Sequence, residues 1–322
     1  MKEIEIKANE AGQRLDKFLA KYLNEAPKSF FYKMMRKKNI VLNGKKATGS
    51  EKLAVGDQVK LFLSDETIQK FSSSTVTYTK GLLDILYEDE DVALINKPVG
   101  MLSQRAKEND ESVVEHFITY LLRSGQITET ELATFHPSVC NRLDRNTSGL
   151  IVAGKSLAGL QKMNELFKDR TLEKYYLCVV YGEISESAHV KGYLKKDAQT
   201  NKVTIRNIES ADASYIETEY RPLSTHRGYS LLEVHLITGK THQIRAHLAS
   251  AGHPLVGDYK YGSKKINDSF RQTYGLSSQM LHSYRLKMPV CPDVLTQLSQ
   301  KEFTAKVPAL FEKICKDKGL IL

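Results

Sequence analysis

A carboxylate in a tight turn, followed at once by an apolar run, is the feature that most constrains how this chain can fold. Residues 142–149 read Arg-Leu-Asp-Arg-Asn-Thr-Ser-Gly, and residues 150–153 read Leu-Ile-Val-Ala. The Thr-Ser-Gly sequence favours a turn, and the apolar run favours a buried strand. Two guanidinium groups beside Asp144 favour its charged form. We therefore expect a fixed, ionised carboxylate at a strand edge, which is a suitable position for a nucleophile or base. A salt-bridged surface turn has the same local pattern.

This stretch resembles the signature of the RluA-type RNA pseudouridine synthases, His-Arg-Leu-Asp-x-x-Thr-Ser-Gly. Asn141 stands where that family usually has histidine, and we expect activity to be retained because this position lies outside the immediate turn. The resemblance implies an isomerase that converts uridine to pseudouridine without a cofactor, with Asp144 as its catalytic aspartate. Whether Asp144 acts as nucleophile or base stays open. By the same resemblance, Arg142 fills the space that an extruded uridine leaves in the RNA stack.

Three later segments continue the resemblance. The Lys-Tyr-Tyr segment implies that Tyr176 stacks on the target base, because an extruded base needs an aromatic face, and Tyr176 is also a candidate for helping proton loss from C5. Residues 238–248 read Thr-Gly-Lys-Thr-His-Gln-Ile-Arg-Ala-His-Leu and imply that Arg245 orients Asp144 through a salt bridge. The Met-Leu-His-Ser-Tyr segment implies that Leu281 forms an apolar floor beneath the base, although an ordinary core leucine fits this pattern too.

Histidines and cysteines do not indicate a metal site. His242, His247 and His253 lie close in sequence, but no carboxylate follows them at the spacing of a zinc-binding motif. We therefore expect them to form structural hydrogen bonds in a loop, and we expect no metal. The four cysteines are scattered, without a Cys-x-x-Cys pair, which is typical of a reducing compartment.

The amino-terminal segment is strongly basic. The chain has a net charge of +9, and residues 14–46 contain ten basic residues against Asp16 and Glu25. Apolar spacing predicts a helix that begins near Leu15 and a second helix after Pro27. The second helix carries the candidate RNA-binding residues Lys28, Lys33, Arg36 and Lys37. The module resembles the S4 domain that often precedes this catalytic domain, although a basic helical face can also be merely solvated.

The order of predicted elements divides the chain into two domains. We assign residues 1–63 to an S4-like RNA-binding domain of small α/β type, 64–80 to a linker and 81–322 to a pseudouridine synthase catalytic domain. The linker contains Ser-Ser-Ser-Thr and little apolar material. Short strands mixed with helices beyond residue 81 predict an α+β fold on a mixed, largely antiparallel sheet.

The expected partner is RNA, either ribosomal RNA or a large-subunit assembly intermediate. The small module most resembles members that act on large-subunit ribosomal RNA, but the catalytic motifs are shared with transfer-RNA synthases. A non-catalytic RNA-binding ribosome-assembly factor is the alternative from another class, whereas an aminoacyl-transfer-RNA ligase would need an ATP-binding signature that the sequence lacks. No apolar run approaches the ~20 residues that span a bilayer, and the amino terminus is unlike a signal peptide, so we expect a cytoplasmic monomer with no membrane contact.

Overall fold

The amino-terminal helices and strands follow the spacing of their apolar residues. The computed structural model describes residues 1–72, 78–107, 109–197, 199–200 and 202–322. Its small domain consists of β1 (Lys2–Glu5), α1 (Leu15–Tyr22), α2 (Lys28–Arg36), β2 (Ile40–Leu42), β3 (Lys45–Lys46) and β4 (Gln58–Leu61). The four strands form an antiparallel sheet in the order β1-β4-β2-β3. Asn43 and Gly44 have positive φ angles of 51° and 72°, as a tight turn between β2 and β3 requires.

Both helices of the small domain bury one face. Phe18 and Leu19 of α1 pack with Phe31 and Met35 of α2 in a single apolar core. The basic side chains of α2 and of the residue that directly follows it are exposed: Lys28, Lys33, Arg36 and Lys37. This amphipathic division confirms the two helices that apolar spacing predicts.

A third helix, α3 (Asp65–Phe71), lies inside the segment predicted as a linker. Ser64 caps it by accepting a hydrogen bond from the Thr67 amide, at 3.3 Å. Ile68 and Phe71 pack on the small-domain core, and the Phe71 ring lies 4.7 Å from that of Phe30. The prediction of a linker over all of 64–80 is therefore wrong for the residues of α3. This helix was missed because it has few apolar residues. We propose that the small domain extends to Phe71; residues 73–77 of the expected linker lie outside the described residues.

The large domain is built on an eleven-stranded sheet. Its main order is β11-β10-β12-β13-β9-β14-β8-β6-β5, with β7 paired to β8 and β15 paired to β14. The strands are β5 (Asp84–Glu88), β6 (Val92–Lys97), β7 (Ser138–Val139), β8 (Ser148–Gly154), β9 (Glu173–Tyr181), β10 (Ala188–Lys196), β11 (Val203–Arg206), β12 (Ala213–His226), β13 (Tyr229–Leu236), β14 (Leu281–Lys287) and β15 (Glu302–Thr304). β14 and β8 pair in parallel and the other named pairs are antiparallel, which confirms the mixed, largely antiparallel α+β fold.

Helices pack on this sheet and contribute to its apolar cores. They are α4 (Val113–Arg123), α5 (Glu129–Leu132), α6 (Leu157–Asp169), α7 (Gln243–Ser250), α8 (Lys264–Tyr274), α9 (Ala309–Asp317) and a 3-10 helix (Asp293–Leu298). In the part of the chain that the structure describes, no helix has both the length and the apolar character needed to cross a bilayer.

β8 is an interior strand and positions the loop that precedes it. All its residues are buried, and it lies between β14 and β6. This confirms the strand predicted at 150–153. Gly149 has a φ of +107°, and a Cβ there would lie 2.1 Å from the Ser283 carbonyl oxygen. Only glycine fits such a close approach of two backbones, so the start of β8 is fixed against β14.

The small domain rests on the large one through a short segment. Glu10 is buried, and its Oε1 accepts a hydrogen bond from the Thr134 hydroxyl at 2.6 Å. Asn9 Oδ1 accepts one from the Leu157 amide, at the start of α6, at 3.4 Å. Because an unpaired buried carboxylate is costly, the Glu10 contact favours a defined arrangement of the two domains.

Candidate active site

One open cleft of about 980 Å³ brings together the five cleft residues singled out from the sequence. They are Arg142 and Asp144 from the loop before β8, Tyr176 from β9, Arg245 from α7 and Leu281 from β14. Three neighbouring strands and one helix thus supply a site whose members are distant in sequence. The candidate RNA-binding residues of α2 belong to the small domain and do not line this cleft.

The Asp144 loop is a hydrogen-bonded turn. The Thr147 amide donates to the Asp144 carbonyl at 3.0 Å, and the Thr147 hydroxyl accepts from Gln279 Nε2 at 3.1 Å. Arg142 and Arg145 are both exposed, and among the described residues neither is the ion-pair partner of Asp144. The two flanking arginines, which the sequence suggested would favour the charged form of Asp144, therefore form no ion pair with it in the described part of the chain.

Arg245 is the residue that holds Asp144. Its Nη1 donates to Asp144 Oδ2 at 2.7 Å, with side-chain exposures of 9% for Arg245 and 26% for Asp144. The sequence resemblance implies this contact, and the geometry is that of a charge-assisted hydrogen bond. Within the described residues, Asp144 Oδ1 has no protein hydrogen-bond partner, so one carboxylate oxygen is anchored and the other is open to the cleft.

Asp258 holds Arg245 through the guanidinium nitrogens that do not contact Asp144. This role of Asp258 was not predicted from the sequence. The two Asp258 oxygens accept from Arg245 Nε at 2.7 Å and from Nη2 at 2.9 Å. Burial lowers the pKa of Arg245, but the hydrogen bonds and charges of Asp258 and Asp144 outweigh it and raise that pKa above its ordinary value. The guanidinium therefore bridges a buried carboxylate and a partly exposed one, and it stays charged.

Lys97 forms buried hydrogen bonds to the backbone beside the Asp144 loop. Its side chain is fully buried, and Nζ donates to the carbonyl oxygens of Pro98 at 2.9 Å, Met101 at 2.8 Å and Arg145 at 3.0 Å. Burial lowers the pKa of Lys97 to about 8, although the charge of Asp144 raises it. An ammonium group has three donors, so the protonated form satisfies all three carbonyls.

Tyr176 and Leu281 form the apolar side of the cleft. Both are nearly buried and belong to the main apolar core of the large domain. Burial raises the pKa of Tyr176 to about 12; Ser283 opposes this shift and the charge of Asp144 adds to it. The phenol is therefore protonated at neutral pH. Tyr175 faces the other side of the sheet, where its ring stacks on His235, as strand alternation predicts.

The three histidines of the second long motif have different surroundings. His247 Nδ1 lies 3.1 Å from the Thr218 hydroxyl, and His253 is partly buried beside Gly182, which follows β9. His242 differs from both because it lines the cleft, with Nε2 3.8 Å from Asp144 Oδ2. Among the described residues, no group of three or more His, Cys, Asp or Glu side chains is placed to hold a metal ion.

The charge of the cleft is strongly positive. Of the residues that line it, eight are Arg or Lys, and Asp144 is the sole carboxylate among those described. The positive residues are Arg105, Arg142, Arg145, Arg170, Lys174, Lys196, Lys240 and Arg245. A concave surface of this sign attracts a phosphate backbone.

Known proteins resemble the chain over most of its length. The model of a family described as RNA pseudouridylate synthase matches residues 91–250, and that of the S4 domain matches residues 13–59. An uncharacterised RNA pseudouridine synthase of Mycoplasma genitalium is 30% identical over 314 residues, which cover 93% of this chain and 94% of that protein. The ribosomal large subunit pseudouridine synthase C of Escherichia coli K12 is 31% identical over 295 residues, covering 89% of this chain and 88% of that protein.

A solved structure supports the fold. Human RNA pseudouridylate synthase domain containing 4 has a TM-score of 0.59 and 22% identity, over 74% of this chain and 94% of that one. The sequence relatives extend across both domains. Arg142, Asp144, Tyr176 and Arg245 lie within the family match, whereas Leu281 lies outside it. This chain therefore belongs to the RNA pseudouridylate synthase family and is an RNA pseudouridine synthase with an amino-terminal S4 domain.

Proposed function

We propose that the protein isomerises specific uridines of large-subunit (23S) ribosomal RNA, with Asp144 as its catalytic carboxylate. The observation that carries the chemistry is the 2.7 Å contact between Asp144 and Arg245 in a cleft whose other charged lining residues are basic. Support for this substrate comes from relatives named ribosomal large subunit pseudouridine synthase C, which are about 30% identical over both domains. From that substrate we also infer action in the cytoplasm.

The reaction exchanges one bond to the ribose for another. The bond from C1′ to N1 breaks, the base rotates, a bond from C1′ to C5 forms, and the proton lost from C5 is balanced by one gained at N1. No oxidant, reductant or group donor is consumed. Asp144 serves either as nucleophile or as base, and both roles need an ionised carboxylate with one open oxygen. Arg245 fixes the position of Asp144 through Oδ2 and leaves Oδ1 open, and Asp258 keeps Arg245 in place.

The apolar side of the cleft receives the extruded base. We assign Tyr176 as the aromatic face that replaces lost stacking, which is worth ~1–3 kcal/mol per base. Leu281 lies beneath it as an apolar floor. Arg142, exposed at the rim, enters the space left in the RNA stack, where a planar cation can contact neighbouring bases and phosphates.

The small domain supplies affinity. Lys28, Lys33, Arg36 and Lys37 are exposed on one helix, and none of them has an ion-pair partner in the described part of the chain. Each phosphate that such a residue neutralises releases counterions and adds to binding without specifying sequence. We therefore assign this face to the RNA backbone. A monomeric state stays a prediction, which light scattering on the purified protein tests.

Tritium release from RNA labelled at uridine C5 tests the function. The wild-type protein, Asp144→Asn and the control Asp268→Asn are incubated with unmodified 23S ribosomal RNA or with transfer RNA. Asp268 is a half-buried helix residue outside the cleft and is paired with Lys264, so its substitution controls for loss of one carboxylate. We expect release from ribosomal RNA by wild type and Asp268→Asn, and none by Asp144→Asn.

Other outcomes have distinct meanings. Tritium release from transfer RNA alone would mean that the substrate is transfer RNA, while the proposed reaction would still hold. Turnover by Asp144→Asn would refute the role of Asp144. Tight binding of both RNAs without release by the wild type would favour a non-catalytic assembly factor.

A further inference from the structure

His242 has a backbone conformation that its role as a loop residue does not explain. Its φ of 55° and ψ of 18° place it in the left-handed region, directly before the first residue of α7. Its side chain makes no capping bond to that helix. Non-glycine residues adopt this conformation at a cost, and such positions concentrate at functional sites. Here the conformation directs the imidazole into the cleft, 3.8 Å from Asp144.

The hydrogen bonds of Tyr261 favour one tautomer of the His242 imidazole. The Tyr261 hydroxyl accepts from the Val203 amide at 2.9 Å and lies 3.0 Å from His242 Nδ1. A hydroxyl has one hydrogen, and the described residues offer it no other acceptor. The arrangement in which the hydroxyl donates to Nδ1 uses this hydrogen within the protein and leaves Nδ1 unprotonated. The remaining proton of a neutral imidazole is then on Nε2, the nitrogen that faces Asp144.

The surroundings of His242 favour the neutral ring. Burial lowers the pKa of His242, and Arg245 and Lys260 lower it further, against the opposing charges of Asp144 and Asp258. The ring is therefore uncharged at neutral pH and presents an N–H donor to the cleft. Opposite this donor lies a carboxylate oxygen that can only accept.

The space between these two atoms suits a hydroxyl group. His242 Nε2 and Asp144 Oδ2 are 3.8 Å apart. An oxygen about 2.8 Å from each of them would have its two hydrogen bonds at roughly a right angle, which is an ordinary geometry. A carbonyl oxygen of the base can accept a hydrogen bond from His242. It would then lie against the Asp144 oxygen, and neither of these two acceptors has a hydrogen to donate. A hydroxyl accepts from Nε2 and donates to Asp144. Within an RNA chain the free hydroxyl of a nucleotide is the ribose 2′-OH, which is also what distinguishes RNA from DNA.

We propose that His242 and Asp144 together hold the 2′-hydroxyl of the target nucleotide, with Tyr261 fixing the tautomer of His242. The inference rests on the proposed function, and it assigns His242 as a substrate-binding residue that selects ribose and places C1′ beside Asp144. It involves no covalent step. Isomerisation leaves the 2′-hydroxyl in place, so the contact exists with both substrate and product.

Hairpin RNAs carrying a uridine that the wild type converts test this proposal. Each hairpin is synthesised twice, with uridine or with 2′-deoxyuridine at that position, and dissociation constants are measured by equilibrium binding. We expect the wild type to prefer the ribose form about tenfold, the value of one hydrogen bond. His242→Asn should lose this preference, because its amide cannot reach the Nε2 position, whereas His242→Gln should retain part of it.

Two controls separate the contact from a structural effect. His189→Ala, an exposed histidine outside the cleft, should retain the full preference. The imidazole nitrogen chemical shifts of His242 in the free protein should show the Nε2–H tautomer, with a larger Nδ1–H fraction in Tyr261→Phe.

The outcomes are distinguishable. An Nδ1–H tautomer in the wild type, or an equal effect of His242→Asn on both hairpins, would refute the 2′-hydroxyl contact while turnover of uridine by the wild type remained. If the wild type converts no uridine in any RNA, the proposed function fails and this contact fails with it.

Discussion

Asp258 and Arg245 are joined by two parallel hydrogen bonds, from Nε and Nη2 to the two carboxylate oxygens. This planar pairing leaves Nη1 as the only guanidinium nitrogen directed at Asp144. The position of the cleft carboxylate therefore depends on a buried residue that does not line the cleft.

Asp258→Ala should destabilise the protein and nearly abolish turnover. The substitution leaves a buried guanidinium with only one carboxylate, which costs roughly 3–5 kcal/mol of unfolding free energy. Loss of the Asp144 position should reduce the conversion rate about 100-fold. Chemical denaturation and single-turnover kinetics measure the two effects. Asp268→Ala, which removes an exposed ion pair, should change stability by under about 0.5 kcal/mol; equal losses in both variants would contradict the anchoring role.

Lys97 should impose an alkaline limit on activity. Its pKa of about 8 means that the amine loses a proton as pH rises through that value. The neutral amine has two N–H donors for three carbonyls, and the Arg145 carbonyl next to Asp144 is one of the three. The conversion rate should therefore be full below pH 8 and fall above it. Lys97→Met should be slow at every pH without this alkaline decline. A decline that persists in this variant would assign the titration to another group.

Tyr176→Phe should retain most activity if the ring alone is used. Because the pKa of Tyr176 is about 12, its hydroxyl carries its proton throughout the neutral range and is a poor base. Tyr176→Leu removes the aromatic face and should lower the conversion rate by about 10- to 100-fold, from the stacking energy of one base. Single-turnover rates compare the two variants. A severe loss in Tyr176→Phe would instead show that the hydroxyl takes part in proton transfer from C5.

Removal of charge from α2 should weaken binding without slowing the chemistry. The triple variant Lys33→Gln, Arg36→Gln, Lys37→Gln should reduce the slope of log affinity against log salt by about 0.7–0.9 for each phosphate that is no longer neutralised. The conversion rate at saturating RNA should stay unchanged. A matched variant that neutralises Lys265, Lys313 and Lys316, exposed on two helices of the large domain, controls for net charge. The same slope change in both variants would refute a specific role for α2.

The hydrogen bond between Thr134 and Glu10 should govern how firmly the domains are joined. Thr134→Val leaves a buried carboxylate oxygen without this donor, at a cost of about 1–3 kcal/mol. Hydrogen exchange should then increase in residues 7–13, and small-angle scattering should show a larger radius of gyration. Thr134→Ser keeps the hydroxyl and should behave as wild type. Unchanged exchange in Thr134→Val would mean that this bond does not maintain the domain arrangement.

Local patterns sufficed for the elements whose apolar residues repeat regularly. The spacing of Leu15, Phe18 and Leu19 predicted α1, and the run after Gly149 predicted β8. The five cleft residues were assigned through a resemblance, and the structure brings them together in one cleft. Their individual roles stay proposals.

Other features depend on contacts between distant residues. Asp258 acquires its importance only because folding places it 2.7 Å from Arg245. A lysine is seldom buried, so no local pattern indicated that Lys97 lies inside the protein. α3 has only two apolar residues, and Phe71 is recognisable as a core residue only once folding places its ring 4.7 Å from that of Phe30.

Asp144 and Arg245 are 101 positions apart in the sequence, and this distance has a consequence during synthesis. Domains generally fold in order as they leave the ribosome, so the basic small domain is complete while most of the cleft is still untranslated. Leu281 is added later still, on the strand that fixes Gly149. A nascent chain can therefore contact RNA long before it can alter it, and premature termination anywhere before β14 yields a fragment without a functional pocket.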